Sequence, residues 1–153
     1  MIYDVLNSLG IKYKEINHEA VYTVEEAKKI ENLIEGIGCK NLFLKSKNKY
    51  YLVILEENKR ANIKELKKII GSSCLTFAST LELEAKLKLT QGSVTPFGII
   101  NDLNKEVILL IDSDLKNNKL LFHPNINTKT ISITFDDLIR FIEYQGNEYI
   151  LID

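Results

Sequence analysis

Short apolar runs alternate along this chain with polar segments that carry helix-start and helix-stop signals. Three predicted helices begin at a Ser, Thr or Asn followed three residues later by a Glu, a spacing at which the two side chains can satisfy free backbone amides. These pairs are Thr23 and Glu26, Asn62 and Glu65, and Ser79 and Glu82. The helices are predicted to run to about Leu33, Ile70 and Leu87, and the pattern predicts two more at 2–9 and 136–144.

Apolar runs of β-prone residues between the helices predict the strands. Before residue 98 these runs are 11–16, 41–45 and 50–55, of which the last two form a hairpin. After residue 98 they are 99–100, 107–111, 120–122, 130–133 and 149–152, with a turn at 101–104 that joins the first two. Hairpins with helices inserted between strands, but no regular β-α-β alternation, predict a mixed α/β (α+β) sheet that curls into a partial barrel.

Composition indicates a compact globular protein. Its 153 residues, 45% of them hydrophobic, are enough for one core, so we expect a single domain over 1–153. No apolar run approaches the ~20 residues that span a bilayer, and Cys39 and Cys74 lack metal-site or C-x-x-C spacing. Without a Walker loop or a G-x-G-x-x-G segment after a strand, nucleotide chemistry has no support. We expect a cytoplasmic protein with no metal, no cofactor and no membrane contact.

The net charge is only −1, but it is unevenly distributed. Residues 40–68 contain nine Lys or Arg but only three Glu. This segment is therefore predicted to form a local basic surface. Such a surface can bind nucleic-acid phosphates. Alternatively, it is a solvated helix face next to a hairpin protected by lysines.

Two polar loops, 92–98 and 123–128, contain both prolines and one of the two histidines. Proline restricts the backbone, while Gly92 and Gly98 allow angles that a side chain would resist, so the first loop can present an array of amides to a carbonyl oxygen or a phosphate. The alternative is that both loops are ordinary turns.

Lys40 begins an otherwise apolar strand and is predicted to share a face with Leu42 and Leu44. Either it extends along the strand end to reach water, or it projects into a pocket and meets an anion. Its neighbour Cys39 could be a nucleophile activated by Lys40, but a cysteine flanked by apolar residues is more often a buried hydrophobic residue.

These segments together resemble a known family. The run 39–45 (CKNLFLK), the loop 92–98 (GSVTPFG) and the segment 123–128 (HPNINT) look like the YbaK/ProX superfamily of aminoacyl-tRNA deacylases. The branch that they resemble is the free-standing prolyl-tRNA editing proteins, and the likeness extends from 18–23 (HEAVYT) to 137–138. In the first of these segments, Glu19 stands where many relatives have proline.

The resemblance implies hydrolysis of the ester that joins a wrong amino acid, most commonly alanine, to proline tRNA, by a curled, partly closed mixed sheet with flanking helices. The catalytic positions that it implies are Lys40, Gly92, Ser93 and His123. Substrate-binding positions are Thr23, Asn41, Lys45, Val94, Thr95, Pro96, Gly98, Asn125, Asn127 and Thr128. Val21 and Tyr22 are candidates to form the small pocket for the amino acid, and the alternative is that they are core residues. We expect Lys59, Arg60, Lys64, Lys67 and Lys68 to contact the acceptor stem of the tRNA.

The expected mechanism needs no covalent nucleophile, because an aminoacyl ester is already activated. Amides of the Gly92 loop would bind the ester carbonyl, Lys40 would hold a phosphate or the developing negative charge, and the free ribose hydroxyl of the substrate would activate water. His123 is either a general base or a residue that orients the Asn125 loop.

Two alternatives to this function stay open. One is a deacylase for another small amino acid, such as cysteine or serine. The other is a non-catalytic module that binds tRNA ends or a synthetase. Mischarged proline tRNA is the expected partner, and prolyl-tRNA synthetase is a second candidate.

Overall fold

The computed structural model describes residues 1–20 and 23–153, apart from the side chains of residues 24 and 27. The helices are α1 (Ile2–Ser8), α2 (Val24–Glu31), α3 (Ile63–Ile70), α4 (Thr80–Leu87) and α5 (Phe135–Gln145). The strands are β1 (Lys14–Asn17), β2 (Ile37–Ser46), β3 (Lys49–Glu56), β4 (Thr76–Phe77), β5 (Val107–Asp112), β6 (Lys119–Phe122), β7 (Lys129–Thr134) and β8 (Tyr149–Ile152). Short 3₁₀ helices cover Gln91–Ser93, Pro96–Asn101 and Ser113–Leu115.

The eight strands form one mixed sheet, so the predicted fold class is confirmed. Seven of them follow the order β1-β7-β6-β2-β3-β5-β8, and β4 pairs with β2. Strand β3 is antiparallel to β2 and parallel to β5, while β2 is parallel to β6. The sheet is not closed, because β1 and β8 lie at opposite ends of the order.

Local capping signals identified the helix starts correctly. The side chains of Thr23, Asn62 and Ser79 each accept a hydrogen bond from the backbone amide of the predicted Glu. Gly71 ends α3 in a left-handed conformation with φ of 69°, where a residue without a Cβ is favoured. These helices are thus specified by residues within one turn of each end.

The strand predicted at 99–100 is wrong, since Pro96–Asn101 is a 3₁₀ helix. Thr95 caps it by accepting from the Phe97 amide, and the Phe97 ring packs edge-on against Phe122 and Phe141 at centroid distances of 6.0 and 5.2 Å. The predicted 101–104 turn of a hairpin is therefore also wrong. Apolar side chains here serve a buried turn between α4 and the sheet, which periodicity cannot distinguish from a short strand.

Two apolar clusters lie on opposite faces of the sheet. The larger one includes Phe43, Leu52 and Phe122 and is covered by α1, α4, α5 and the Pro96–Asn101 helix. The smaller one includes Leu44 and Leu55 and is covered by α3 through Leu66. Alternate residues of β2 therefore contact different layers, which fixes the direction of each side chain on that strand.

Candidate functional site

A cavity of about 110 Å³, hereafter the His123 cavity, opens where β2 separates from β6. The two strands pair only at Ile37 and Gly38, opposite Leu120 and Leu121. The residues that follow on both strands line the gap, together with the end of α2 and the residue after β3. The polar side chains in its wall are Glu31, Asn41, Glu57, His123 and Thr130. A break in strand pairing thus creates the cavity.

His123 follows β6 and presents a neutral ring at the cavity wall. Its Nδ1 lies 2.9 Å from the Lys129 carbonyl oxygen and donates to it, which leaves the lone pair of the neutral ring on Nε2. Burial lowers the pKa of His123, and the nearby His18 lowers it further, although the Lys129 hydrogen bond opposes them. The centroids of the His18 and His123 rings are 6.1 Å apart, and Nε2 of His18 is 2.8 Å from the Thr130 hydroxyl. His123 can therefore accept a proton at neutral pH.

Glu31 and Glu57 form a hydrogen-bonded pair of carboxyl groups in the same wall. Burial of the Glu31 carboxyl, its hydrogen bond to Glu57 and the charge of Glu57 raise the pKa of Glu31 to about 8. At pH 7 the pair therefore holds one proton and one negative charge. A Cβ on Gly38 would overlap carboxyl oxygens of both residues, so glycine leaves the space that they occupy. Sequence reasoning missed this pair, because nothing local links residues so far apart in the chain.

Asn41 lies between the His123 cavity and a second one of about 320 Å³, hereafter the Gln91 cavity. Its Oδ1 is buried without a hydrogen-bond partner among the described residues. Its Nδ2 is 3.5 Å from the Cys39 carbonyl oxygen, which is at the limit of a hydrogen bond. A buried amide oxygen without a donor is costly, so this position is suited to a ligand that supplies one.

The two loops selected from the sequence lie next to each other. A Cβ on Gly92 would be 3.5 Å from Nδ2 of Asn127, and Gln91 and Val94 line the Gln91 cavity with Asn41. The structure therefore brings parts of the Gly92 loop, the Asn125 loop and β2 into one region. Within this region Ser93 and Thr95 are buried.

Three amides of the Gly92 loop already donate inside the loop. The Ser93 amide is bonded to the Thr90 carbonyl at 3.0 Å, the Gly98 amide to the Thr95 carbonyl at 3.1 Å, and the Phe97 amide to the Thr95 hydroxyl at 3.4 Å. An ester carbonyl would therefore have to be bound by the amide of Gly92, Val94 or Thr95.

The prediction that Gly92 and Gly98 adopt backbone angles that a side chain would resist is wrong. Neither Gly92 nor Gly98 has the positive φ that disfavours a side chain. Gly98 is required by close packing instead, because a Cβ there would lie 2.5 Å from Cδ1 of Leu89. A Cβ at Gly92 would make only an ordinary contact with Asn127.

Lys40 and Lys45 do not line the His123 cavity. Lys40 leaves β2 on the side opposite to Asn41, with Leu42 and Leu44 as expected, and its ammonium donates to the Lys59 carbonyl at 2.6 Å. Lys45 forms an ion pair with Glu82 at 2.8 Å on α4. The ammonium of Lys40 thus holds the segment after β3 that also carries Glu57.

The remaining predicted positions are spread around the site. Thr23 caps α2, and the Thr128 carbonyl accepts from the His18 amide at 2.9 Å. Asn125 has a φ of 66°, and its buried Oδ1 has no hydrogen-bond partner in the described part of the chain. Pro96 is the buried first residue of the 3₁₀ helix. Val21 and Tyr22 lie outside the described residues.

The predicted tRNA-contact lysines lie on and just before α3. Lys59 is held by Asp112 at 2.8 Å and Asp114 at 2.6 Å, and Lys68 by Glu65 at 3.5 Å. Arg60, Lys64 and Lys68 are exposed, while Lys67 is half-buried. None of them lines the His123 cavity.

Other chemistry has little support in the structure. Burial raises the pKa of the Cys39 thiol, so Cys39 stays protonated and fits a packing role. Within residues 1–20 and 23–153, no three His, Cys, Asp or Glu side chains form a group that could hold a metal ion. In the same ranges no helix is long and apolar enough to cross a membrane.

Known proteins resemble this chain over most of its length. The aminoacyl-tRNA editing domain family matches residues 18–141. The prolyl-tRNA editing protein ProX of Acetoanaerobium sticklandii is 38% identical over 153 residues, which cover 97% of this chain and 92% of that protein. The multifunctional Ser/Thr-tRNA deacylase ProXp-y of Escherichia coli K12 is 24% identical over 145 residues, which cover 91% and 84%. A solved structure described as a trans-editing enzyme for prolyl tRNA synthetase has a TM-score of 0.76 at 18% identity and covers 97% of this chain and 92% of its own.

The mixed sheet with its polar cavity and the family match define an aminoacyl-tRNA editing domain. The chain belongs to this family, and the YbaK/ProX resemblance seen in the sequence is confirmed. The predicted enzyme class, an aminoacyl-tRNA deacylase, is confirmed as well.

Proposed function

We propose that this enzyme hydrolyses mischarged proline tRNA, with alanyl-tRNA(Pro) as its principal substrate. The observation that carries the proposal is the small His123 cavity, whose wall contains a neutral histidine and a carboxyl pair. A synthetase site shaped for proline cannot exclude alanine strongly, because a methylene is worth only ~1–3 kcal/mol. The opposite selection, in favour of a methyl side chain and against larger ones, would be made where the amino acid enters the His123 cavity.

The Glu31–Glu57 pair is our candidate partner for the α-ammonium group of the aminoacyl ester. The pair carries one negative charge at neutral pH, and it lies in the cavity wall rather than on open surface. An ammonium has three donors and no acceptor, so two adjacent carboxyl groups can bind two of its protons. Asn41, whose Oδ1 is unpartnered, lines the same cavity and can accept the third.

With the ammonium bound there, the ester carbonyl would reach the Gly92 loop through the Asn41 region that joins the two cavities. An amide of Gly92, Val94 or Thr95 would stabilise the oxyanion. Water adds to the carbonyl carbon, the bond from that carbon to the ribose oxygen breaks, and the ribose oxygen takes a proton. The products are the free amino acid and a tRNA with its terminal hydroxyl restored.

Two routes for the proton of the attacking water are compatible with the site. In the first, the neighbouring ribose hydroxyl of the substrate takes it and passes its own proton to the leaving ribose oxygen, while His123 only holds the loop through its bond to Lys129. In the second, Nε2 of His123 accepts it directly. We propose the first, in which Lys40 is a positioning residue that holds the Glu57 segment through the Lys59 carbonyl.

Serine is the second candidate for the amino acid removed. The cavity wall contains the Thr130 hydroxyl and the His123 ring, which can hydrogen-bond a side-chain hydroxyl. The related E. coli protein is named a Ser/Thr-tRNA deacylase.

The test is release of amino acid from purified proline tRNA charged in turn with alanine, cysteine, serine or proline, beside alanine on its own tRNA. We expect rapid release of alanine from proline tRNA and slow release from the others. N-acetylalanyl-tRNA(Pro) is the matched control for the ammonium site, because it keeps the ester and removes the positive charge. The wild type should prefer the free amine, and Glu57→Gln should lose that preference.

Two results would contradict the proposal. If prolyl-tRNA(Pro) were hydrolysed as fast as alanyl-tRNA(Pro), the His123 cavity would not select by size. If the wild type hydrolysed the acetylated ester as fast as alanyl-tRNA(Pro), the carboxyl pair would not bind the ammonium group. Addition of prolyl-tRNA synthetase to the same reactions tests whether that enzyme is a partner. If it is, the synthetase should change the rate of amino-acid release.

A further inference from the structure

A larger cavity, of about 490 Å³, lies at the opposite end of β6 and β7 from the His123 cavity. Lys12, Lys14 and Lys119 line it, together with Tyr13 and Thr134. We call it the lysine cavity. Its volume is within the range of sites that hold small ligands, about 300–1,000 Å³, and the proposed chemistry does not use it.

Both cavities are lined by residues of β6 and β7. His123 follows β6 and Lys119 begins it, so four residues, or about 13 Å of strand, separate them. Leu121 lines the His123 cavity, and Ser132, its register partner on β7, lines the lysine cavity. The Ser132 hydroxyl donates to the Glu35 carbonyl at 2.6 Å.

The charge of the lysine cavity favours an anion. Lys12 and Lys14 are exposed, and neither has an ion-pair partner within the described part of the chain. Lys119 is 3.2 Å from Glu35, but both side chains are largely exposed, so solvent weakens this pair. The one carboxylate of the wall, Asp137, is already paired with Arg140 at 3.1 Å.

An aromatic residue, Tyr13, also lines the lysine cavity. The Tyr13 ring packs against the Tyr3 ring with centroids 5.9 Å apart. Aromatic rings bind single-stranded nucleic acid by stacking with bases, and lysines beside them bind the phosphates. The lysine cavity offers both groups.

We propose that the lysine cavity binds a nucleotide of the single-stranded 3′ end of the tRNA, upstream of the nucleotide whose aminoacyl group enters the His123 cavity. Lys12, Lys14 and Lys119 contact its phosphates, and Tyr13 stacks on its base. The assignment of the ligand to tRNA rests on the proposed function. It differs from the expectation that α3 contacts the tRNA, because none of the three lysines belongs to that helix.

The experiment compares two triple variants that each remove three positive charges. The first is Lys12→Gln, Lys14→Gln and Lys119→Gln. The control is Lys64→Gln, Lys67→Gln and Lys68→Gln on α3. Each set contains one lysine in a surface ion pair, Lys119 with Glu35 and Lys68 with Glu65, so the two sets are also matched in broken pairs.

Binding of uncharged proline tRNA, and of a tetranucleotide with the tRNA 3′ sequence, is measured by fluorescence anisotropy at several salt concentrations. The first variant should bind the tetranucleotide at least about tenfold more weakly than the wild type, and its slope of log affinity against log salt should be shallower by about 2. The α3 variant should bind the tetranucleotide like the wild type. Tyr13→Leu should weaken binding about fivefold or more without changing the salt slope.

Equal loss in the two triple variants, loss only in the α3 variant, or no loss in either would overturn the proposal. AMP and inorganic phosphate serve as competing probes. If AMP displaced the tetranucleotide at equal concentration, the cavity would be a site for a free nucleotide and the tRNA assignment would be wrong. Because binding is measured on uncharged RNA, a wild type that binds the tetranucleotide but releases no amino acid would refute the proposed function and leave the nucleotide site standing.

Discussion

Replacing Glu57 by glutamine should remove a pH dependence of stability that the carboxyl pair creates. Burial and the contact with Glu57 raise the pKa of Glu31 from 4.5 to about 8 in the folded protein. The folded state therefore binds more protons than the unfolded state between these values, and the free energy of unfolding falls as pH rises from 4.5 to about 8. The amide introduced by Glu57→Gln carries no charge, so the part of the shift that comes from the Glu57 carboxyl would disappear, while the larger part, which comes from burial of Glu31, would remain. The fall in the free energy of unfolding should therefore become shallower in the variant.

The size of the effect follows from the shift in pKa. A shift of this size corresponds to about 5 kcal/mol without screening, but both carboxyl groups are only half-buried, so we expect a fall of about 2 kcal/mol in the wild type and a smaller one in the variant. Urea unfolding at pH 5, 6, 7 and 8.5 measures it. His123 acts in the opposite direction, because its pKa is lowered and its stabilisation is lost as pH falls. The comparison is therefore the difference between wild type and variant at each pH, in which the contribution of His123 cancels.

Glu84→Gln is the control, because Glu84 is an exposed glutamate on α4 outside the wall of the His123 cavity. Its stability curve should run parallel to that of the wild type. If the Glu57→Gln curve were also parallel to the wild type from pH 5 to pH 8.5, the two carboxyl groups would not share a proton. The proposed ammonium site would then lose its electrostatic basis.

Three further predictions concern single positions of the site. Gly38→Ala should reduce kcat/KM for alanyl-tRNA(Pro) at least tenfold, since its Cβ overlaps the Glu31 and Glu57 carboxyl oxygens and displaces these two flexible side chains. Gly92→Ala, with only an ordinary contact, should stay within about 0.5 kcal/mol of wild type in urea unfolding and should lose less activity than Gly38→Ala; an equal loss of kcat/KM would refute this difference. If turnover needs the neutral His123 ring, kcat/KM should fall only below pH 6.5, because the pKa of this residue is lowered, and a fall that begins near pH 7.5 would contradict this. Lys40→Met should reduce kcat/KM by loosening the Glu57 segment but leave the salt dependence of tRNA binding unchanged, whereas a shallower salt slope would indicate that Lys40 contacts a phosphate.

Local signals predicted the parts of this fold that are specified locally. Thr23, Asn62 and Ser79 each cap a helix as predicted, because the hydrogen bond joins residues three positions apart. The run at 99–100 was misread, since its apolar residues meet the Phe122 and Phe141 layer through a 3₁₀ helix and not through strand pairing. Such long-range packing has no period that a sequence pattern reveals.

The candidate site was predicted in part, and for a similar reason. The sequence identified Asn41, the Gly92 loop and His123, and these lie around two adjoining cavities. It did not identify Glu31 or Glu57, which meet only because the last residue of α2 and the residue after β3 both lie against Gly38. Lys40, selected for standing in an apolar strand, instead donates to a backbone carbonyl on the other side of β2.

The separation of β2 from β6 explains why these polar groups collect at one place. Two paired residues, Ile37 and Gly38, join the strands, and β2 then continues along β3 while β6 ends at Phe122. Side chains beyond the last pair are no longer covered by a neighbouring strand, so Asn41 and His123 face a gap. Gly38, at the last pair, lacks the Cβ that would displace the carboxyl pair. A substitution that extended pairing past Gly38 would therefore close the cavity even if every polar residue of its wall were retained.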